Sequence, residues 1–261
     1  MAKKNRDTLQ RYFRTGSLPS QDQFEDLIDS SLNMIDEGFG KSPENGFEIS
    51  LLGDNQRLIS FFKSAAVKDV VWSIDYDRER DRLIIKKPQD ETEAPPAMVF
   101  SGEGYVGVNK PDPNYALDVG GVVASEGRIG ANPDNKKTVP ANGKFHDITG
   151  PLNGCQAFEV MAGVGVKNTG HYALMNAIAL NTFNPHGPFF NFFNLKKKIK
   201  YQQAYYLKRG DRIKLQWRNE GEHYYLQMGT VCSYGDDVNI RYYLTRLWFD
   251  ETMEESLDNH D

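Results

Sequence analysis

The sequence has little cysteine: Cys155 and Cys232 are the only two in 261 residues. Two thiols make no disulfide framework, and the simpler reading of both is a small, buried apolar side chain. Long apolar runs are missing too. No stretch approaches the roughly 18 residues that a membrane-spanning helix needs, so membrane insertion is not expected. The opening residues, MAKKNRDTLQ, carry positive charge with no apolar segment behind them. A Sec signal peptide needs that segment, so the expectation is a chain made in the cytoplasm without one, whose place of work can lie elsewhere. Positive charge is in deficit overall. The 31 Lys and Arg against 36 Asp and Glu leave a net charge of −5, without the global field that draws nucleic acid. Neither a Gly-x-Ser-x-Gly elbow nor a His-Glu-x-x-His metal motif occurs.

What the sequence does have is aromatic residues, with 15 Phe, 13 Tyr and 3 Trp, which suit pleated, half-buried surfaces and point to β-structure. Residues 1–40 differ and read as helical. In SLPSQDQFEDLIDSSLNMIDEGFG, Ser20 can cap a helix with Gln23 completing a capping box. Asp22, Glu25 and Asp26 then lie near the first turn, where the helix dipole favours acids. Phe24, Leu27, Ile28, Ser31, Leu32, Met34 and Ile35 form an apolar stripe that Gly38 would end. Such a stripe needs cover from later residues or from copies of itself. From 45 to 100 come short strand candidates (FEISLL, RLISFF, VVWSIDY, RLIIKK, AMVFS), with KPQDETEAPP as an acidic surface loop. From 140 to 250 the candidates are longer, more aromatic and mostly alternating: KFHDI, QAFEVMAGVGV, YALMNAIAL, YYLKRGDRIKLQWR, HYYLQMGTVCSY and NIRYYLTRLWF. Regular strand–turn spacing of this kind predicts an antiparallel sandwich or jelly roll. The polar, Pro-bounded stretch NPDNKKTVP at 132–140 marks a boundary before it.

Between the halves, VGVNKPDPNYALDVGGVVASEGRIG resembles a repeat of phage tail fibres and long bacterial adhesins. Val106-Gly107-Val108-Asn109, Pro111, Pro113, Leu117-Asp118-Val119 and Gly121 occupy the repeat's places, with Gly120 where Asn is more usual. Upstream, Tyr12, Phe13, Gly16, Pro19, Phe24, Leu27, Ile28, Asp29 and Ser30 are similar in order to the start of many tail-fibre-like proteins. Together the two resemblances cover about half of residues 1–130. They imply a component of a phage tail or a phage-derived contractile injection system, with short strands from three chains wound around one axis. Some relatives place the Leu-Asp-Val-Gly repeat before a self-cleaving chaperone domain with a Ser–Lys pair. That domain is largely helical, and the strand-rich residues 140–250 argue against it here.

Acid–base candidates in the C-terminal part are His146, Asp147, Glu159, His171, His186 and His223, without metal-ligand spacing; scattered histidines at strand ends are usually surface groups or satisfied core residues. GVGVKNTG at 163–170 contains Gly-x-Gly, yet no helix pattern follows to hold a phosphate, so a hairpin around Asn168, Thr169 and Gly170 is the preferred reading. GPFFNFFNLKKKIKYQ at 187–202 could stack single-stranded nucleic acid; core or subunit phenylalanines beside an edge of solvated lysines fit the acidic chain better. For ligand binding the candidates are Trp217, His223, Tyr224, Tyr234 and Tyr242, whose rings could face sugars, with Asp236, Asp237 and Asn239 to bond hydroxyls. Against this stands simple alternation, which sends one of each neighbouring pair into the core.

These readings combine into one expectation. The fold is mainly β, with a helical collar (1–40), a thin intertwined β shaft (41–131) and a sandwich head (132–261). The protein is expected to be a non-enzymatic homotrimer without cofactor or metal, assembled into a phage-like particle. Its N-terminal region, through Phe24, Leu27, Ile28 and Ile35, is expected to hold copies together or meet a baseplate protein. Its head would meet a cell-surface glycan or protein, and nucleic acid is not an expected partner. Two alternatives stay open: a baseplate or cap assembly component, and a polysaccharide-degrading head with a carboxylate pair in a groove.

Overall fold

Two short helices open the chain, each begun by a side chain that satisfies a free backbone N–H. Asn5 Oδ1 accepts the Thr8 N–H at 2.9 Å and starts α1 (Arg6–Tyr12). At the expected capping box, the Gln23 side chain accepts the Ser20 N–H at 3.1 Å and α2 (Gln21–Asp29) follows. This computed structural model describes residues 4–31, 33, 36–64, 66–87, 94–131, 138–184 and 197–257, without the side chains of 67 and 68. The helix expected to run on toward Gly38 instead ends at Asp29. There the Ser30 and Ser31 hydroxyls donate back to the Asp26 and Leu27 carbonyls, at 2.6 and 2.9 Å, a competing bond that short hydroxyl side chains offer at helix ends. Leu32, Met34 and Ile35 of the expected stripe lie outside the described residues.

The chain divides into two compact units, Met1–Ala124 and Ser125–Asp261. Beyond its helices, the first holds a hairpin of β1 (Phe39–Ser42) and β2 (Gly46–Ile49) and one six-stranded sheet. That sheet runs in chain order: β3 (Arg57–Ser64), β4 (Val67–Asp77), β5 (Arg82–Lys86), β6 (Met98–Phe100), β7 (Val106–Val108) and β8 (Leu117–Val119). Every pairing is antiparallel except the last, where β7 and β8 run parallel. The Val-Gly-Val-Asn and Leu-Asp-Val-Gly stretches singled out above are this parallel pair. Their glycines are required by close backbone approach: a Cβ on Gly107 would lie 2.2 Å from the Lys110 carbonyl oxygen, and one on Gly120 2.4 Å from that of Asn109.

The second unit is two antiparallel sheets around one core. Its strands are β9 (Thr138–Pro140), β10 (His146–Asp147), β11 (Gly154–Val166), β12 (His171–Phe183), β13 (Lys197–Tyr205), β14 (Ile213–Glu220), β15 (His223–Thr230) and β16 (Asn239–Arg246). One sheet has the order β13-β12-β11-β16-β9 and the other β10-β15-β14. Strict alternation along β11 and β12 sends Phe158, Val160, Ala162 and Val164, then Ala173, Met175, Ala177 and Ala179, inward. They meet Ile213, Leu226 and Met228 of the smaller sheet in one buried cluster. The expected hairpin joins β11 to β12, with Asn168 and Gly170 at positive φ. Strand β13, with exposed Lys198 and Lys200, is an edge strand, as the lysine run suggested. Among the described residues, no helix is long and apolar enough to cross a membrane.

Candidate interaction surfaces

In the first unit the pleat of the six-stranded sheet puts a continuous apolar row on one face: Ile59, Ile74, Ile85, Met98, Val108 and Val119 are cross-strand neighbours in that order. Beside it run Tyr76, Leu83, Phe100, Val106 and Leu117. Among the described residues, neither a helix nor a second sheet of this unit forms a layer over that face. Phe61, Trp72 and Leu117 remain 49%, 40% and 64% exposed. The opposite face is the buried one, and it is polar. Ser73 and Asp75 are buried there with Val99, and Asp75 is held by Lys86 at 2.8 Å and Arg57 at 3.5 Å. The loop after β7 closes over this side, with Arg82 bound to Asp112 and to the Pro111 carbonyl, both at 2.7 Å.

On the helices, Phe24 and Ile28 are exposed and Leu27 half-buried; the Phe24 ring packs edge-on against Phe13 at 5.4 Å. No residue of either helix is buried.

In the second unit the structure separates the sequence-predicted ligand residues. Tyr224 and Tyr242 are fully buried, which corrects their place among exposed rings. Tyr242 and Leu244 point into the core by the alternation of β16. Tyr224 packs edge-on against Trp217 at 5.3 Å and Phe183 at 5.9 Å, and its hydroxyl donates to the Gly154 carbonyl at 2.6 Å. Burial pushes the Tyr224 phenol above its ordinary pKa. Trp217 is half-buried against the same core. Tyr234 is half-buried; its hydroxyl donates to the Asp211 carbonyl at 2.5 Å and burial pushes its pKa up to about 12. His223 is exposed at the start of β15, its Nδ1 2.8 Å from the Asn153 side-chain amide. Asp236 and Asp237 sit in the exposed turn before β16, and Asn239 opens that strand.

The acid–base candidates are dispersed as well. His146 bonds Asn142 at 2.9 Å, His171 meets the buried Asp211 at 3.2 Å, and Glu159 is paired with Arg128. His186 lies outside the described residues. Cys155 is buried, whereas Cys232 is exposed, a correction to the expectation that both are buried.

The two outer faces of this unit differ in kind. That of the smaller sheet is a closed polar network in which Gln216 bonds Gln227, Gln227 bonds Asp147, and Arg218 bonds Asp147 and Glu220. That of the five-stranded sheet carries Met161, Tyr172, Leu174 and Leu180, all exposed, and the first three line an open groove of about 810 Å³. Gly163 and Gly165 of β11 form its floor, Tyr172 and Leu174 of β12 one wall, and Arg241 and Tyr243 of β16 the other, with Tyr206 and Asn239 at its rim. The sequence reading named Glu159, Asn239 and the Gly163-x-Gly165 stretch separately and did not bring them together on this face. Its signal was the Gly163-x-Gly165 pair, which leaves two outward positions of β11 without side chains.

No family model matches this chain, and no curated protein matches it either.

Proposed function

We propose that this protein is a fibre-like structural component of a phage tail or a phage-derived contractile injection system. In this reading three copies associate, the first unit is the shaft with its helical collar at the particle, and the second unit is a jelly-roll-like head that meets a target surface. The observation that carries the reading is the six-stranded sheet of the first unit: Ser73 and Asp75 are buried on one face, and on the other a row of six half-buried apolar side chains has no covering layer among the described residues. An open apolar sheet face of this size is costly in water and marks an interaction surface. Copies of the same sheet would cover one another, as the thin shaft of the tail-fibre resemblance requires. The avidity of three heads on one stalk then replaces tight binding by any single head. Light scattering coupled to size exclusion tests this: the expected mass is three times the 29.7 kDa chain. A stable monomer at micromolar concentration overturns it.

A further inference from the structure

The groove on the five-stranded sheet differs from the rest of the molecule in charge. The chain is acidic overall, yet among the described residues the sheet's outer face has one carboxylate, Glu159, already neutralised by Arg128. Against it stand Arg241, Lys198 and Lys200, which the β-pleat points outward and which have no carboxylate within ion-pair distance among the described residues. Arg241 lies beside Gly163 in the register, at the groove wall.

The rings are seated, not loose. A Cβ on Gly165 would fall 2.3 Å from Cδ1 of Tyr172, so that ring occupies the space only glycine leaves. The Tyr172 hydroxyl also accepts the Asn168 N–H at 3.2 Å. The Tyr206 ring rests less tightly against Gly170, where a Cβ would be 3.3 Å from two of its ring carbons, and it is 77% exposed. Arg241 stands two strands from Tyr172, roughly 10 Å across the sheet, which leaves room for more than one sugar ring between platform and guanidinium.

We propose that this groove binds an acidic saccharide: sugar rings stack on Tyr172 and Tyr206, and the carboxylate pairs with Arg241. The inference rests on the reading of the second unit as a recognition head and names the ligand class. An acidic peptide fits less well. The floor and walls, β11, β12 and β16, are interior strands with their ladders filled, so the N–H and C=O groups of a peptide lying along them would lose water without replacement, and the edge strand β13 enters the lining only at Ala204 and Tyr205. Saccharide hydroxyls need only scattered partners, which the tyrosine hydroxyls and Asn239 supply. A second copy presenting the same face would bring together two surfaces that each carry Arg241, Lys198 and Lys200, a like-charge arrangement that disfavours pairing.

The test is calorimetric titration of the full chain with trigalacturonate and 3′-sialyllactose, each beside a neutral counterpart, maltotriose and lactose. At least one acidic probe is expected to bind ten times more tightly than its neutral counterpart, with the advantage shrinking as sodium chloride is raised. Arg241→Gln is expected to erase that advantage, and Tyr206→Ala, at a rim position outside the core, to weaken acidic and neutral probes alike by about tenfold, a stacking-sized loss. Absence of binding by both acidic probes, equal affinity for neutral ones, or full acidic preference in Arg241→Gln overturns the proposal. So does tighter binding of an oligoglutamate peptide, or a fall in the particle's mass in either variant, which would put a peptide or a second copy in the groove. The mass also keeps the two readings apart. A three-copy particle that ignores acidic sugars sinks only the groove proposal, while a monomer that binds them sinks only the fibre reading.

Discussion

The two units are built from the same alternating strands and use them in opposite senses. In the second, alternation sends Phe158, Val160, Leu226 and Leu244 into a shared core between two sheets, so each chain supplies both layers. In the first, an alternation interrupted by register shifts between β3 and β4 yields one layer among the described residues, with Asp75 buried on one side and Ile74 half-exposed on the other. The contrast teaches that hydrophobic pattern sets which residues share a face, while the number of layers decides whether that face is buried. A sandwich is complete by itself.

This comparison can be broken by measuring what equivalent truncations cost in each unit, following hydrogen exchange of the two units separately in the full chain. The largest effect is expected from Leu226→Ala: its side chain is fully buried between the sheets, and the loss should be about 2–5 kcal/mol, confined to peptides of 138–257. A loss below about 1 kcal/mol would mean that the core of the second unit is not formed as described.

Next in size is Lys86→Ala in the first unit, which leaves the buried Asp75 carboxylate with only the longer contact to Arg57. A buried charge deprived of its closer partner should cost about 2 kcal/mol there and nothing in the second unit. Protection that falls in both units together would contradict their separation.

Leu83→Ala sharpens the question most, because it lies beside the apolar row of the open face. On a bare single sheet, a half-buried leucine should cost about 1 kcal/mol, independent of protein concentration. If copies cover the face, the cost should rise into the 2–5 kcal/mol range of a core truncation, and the melting temperature should climb with concentration. A concentration-independent melt with the small cost would show that nothing covers this sheet.

The last effect concerns pH and is absent at neutrality, where the phenol is protonated in both states. The Tyr234 phenol is raised from its ordinary value of 10.0 to about 12 in the folded protein, chiefly by burial. Its contribution to stability is therefore fully present below pH 10 and is lost as pH rises from 10 to about 12. Tyr234→Phe should flatten the alkaline loss of stability of the second unit in that window. An unchanged alkaline profile in the variant would assign the loss to other tyrosines.

Much of the secondary structure was legible in the sequence, because its causes are local. The Ser20–Gln23 box, the Asn168–Gly170 hairpin and the alternation of β11 and β12 depend on residues a few positions apart, and each lies where the pattern placed it. The lysines of β13 announced an edge for the same reason: unpaired strand edges need charge. The length of α2 was misread, since apolar spacing continued past Asp29 while the Ser30 and Ser31 hydroxyls drew on the helix's last carbonyls. Among the ring candidates, alternation alone left open which of two neighbouring aromatics faces inward. Tyr224 and Tyr242 proved to be core, and that depended on a second sheet arriving from elsewhere in the chain.

What the sequence determined by itself is the set of strands, their turns and the partition of side chains between two faces. The tertiary structure alone decided that β16 pairs with β11 across some eighty residues of chain, and that Gly163 and Gly165 open a groove between β12 and β16. It also decided that the first unit's polar side is its buried side. The physical reason is range. Turn chemistry and alternation act over a few residues, whereas strand order and the covering of a face depend on burying area between segments whose separation along the chain leaves no local mark.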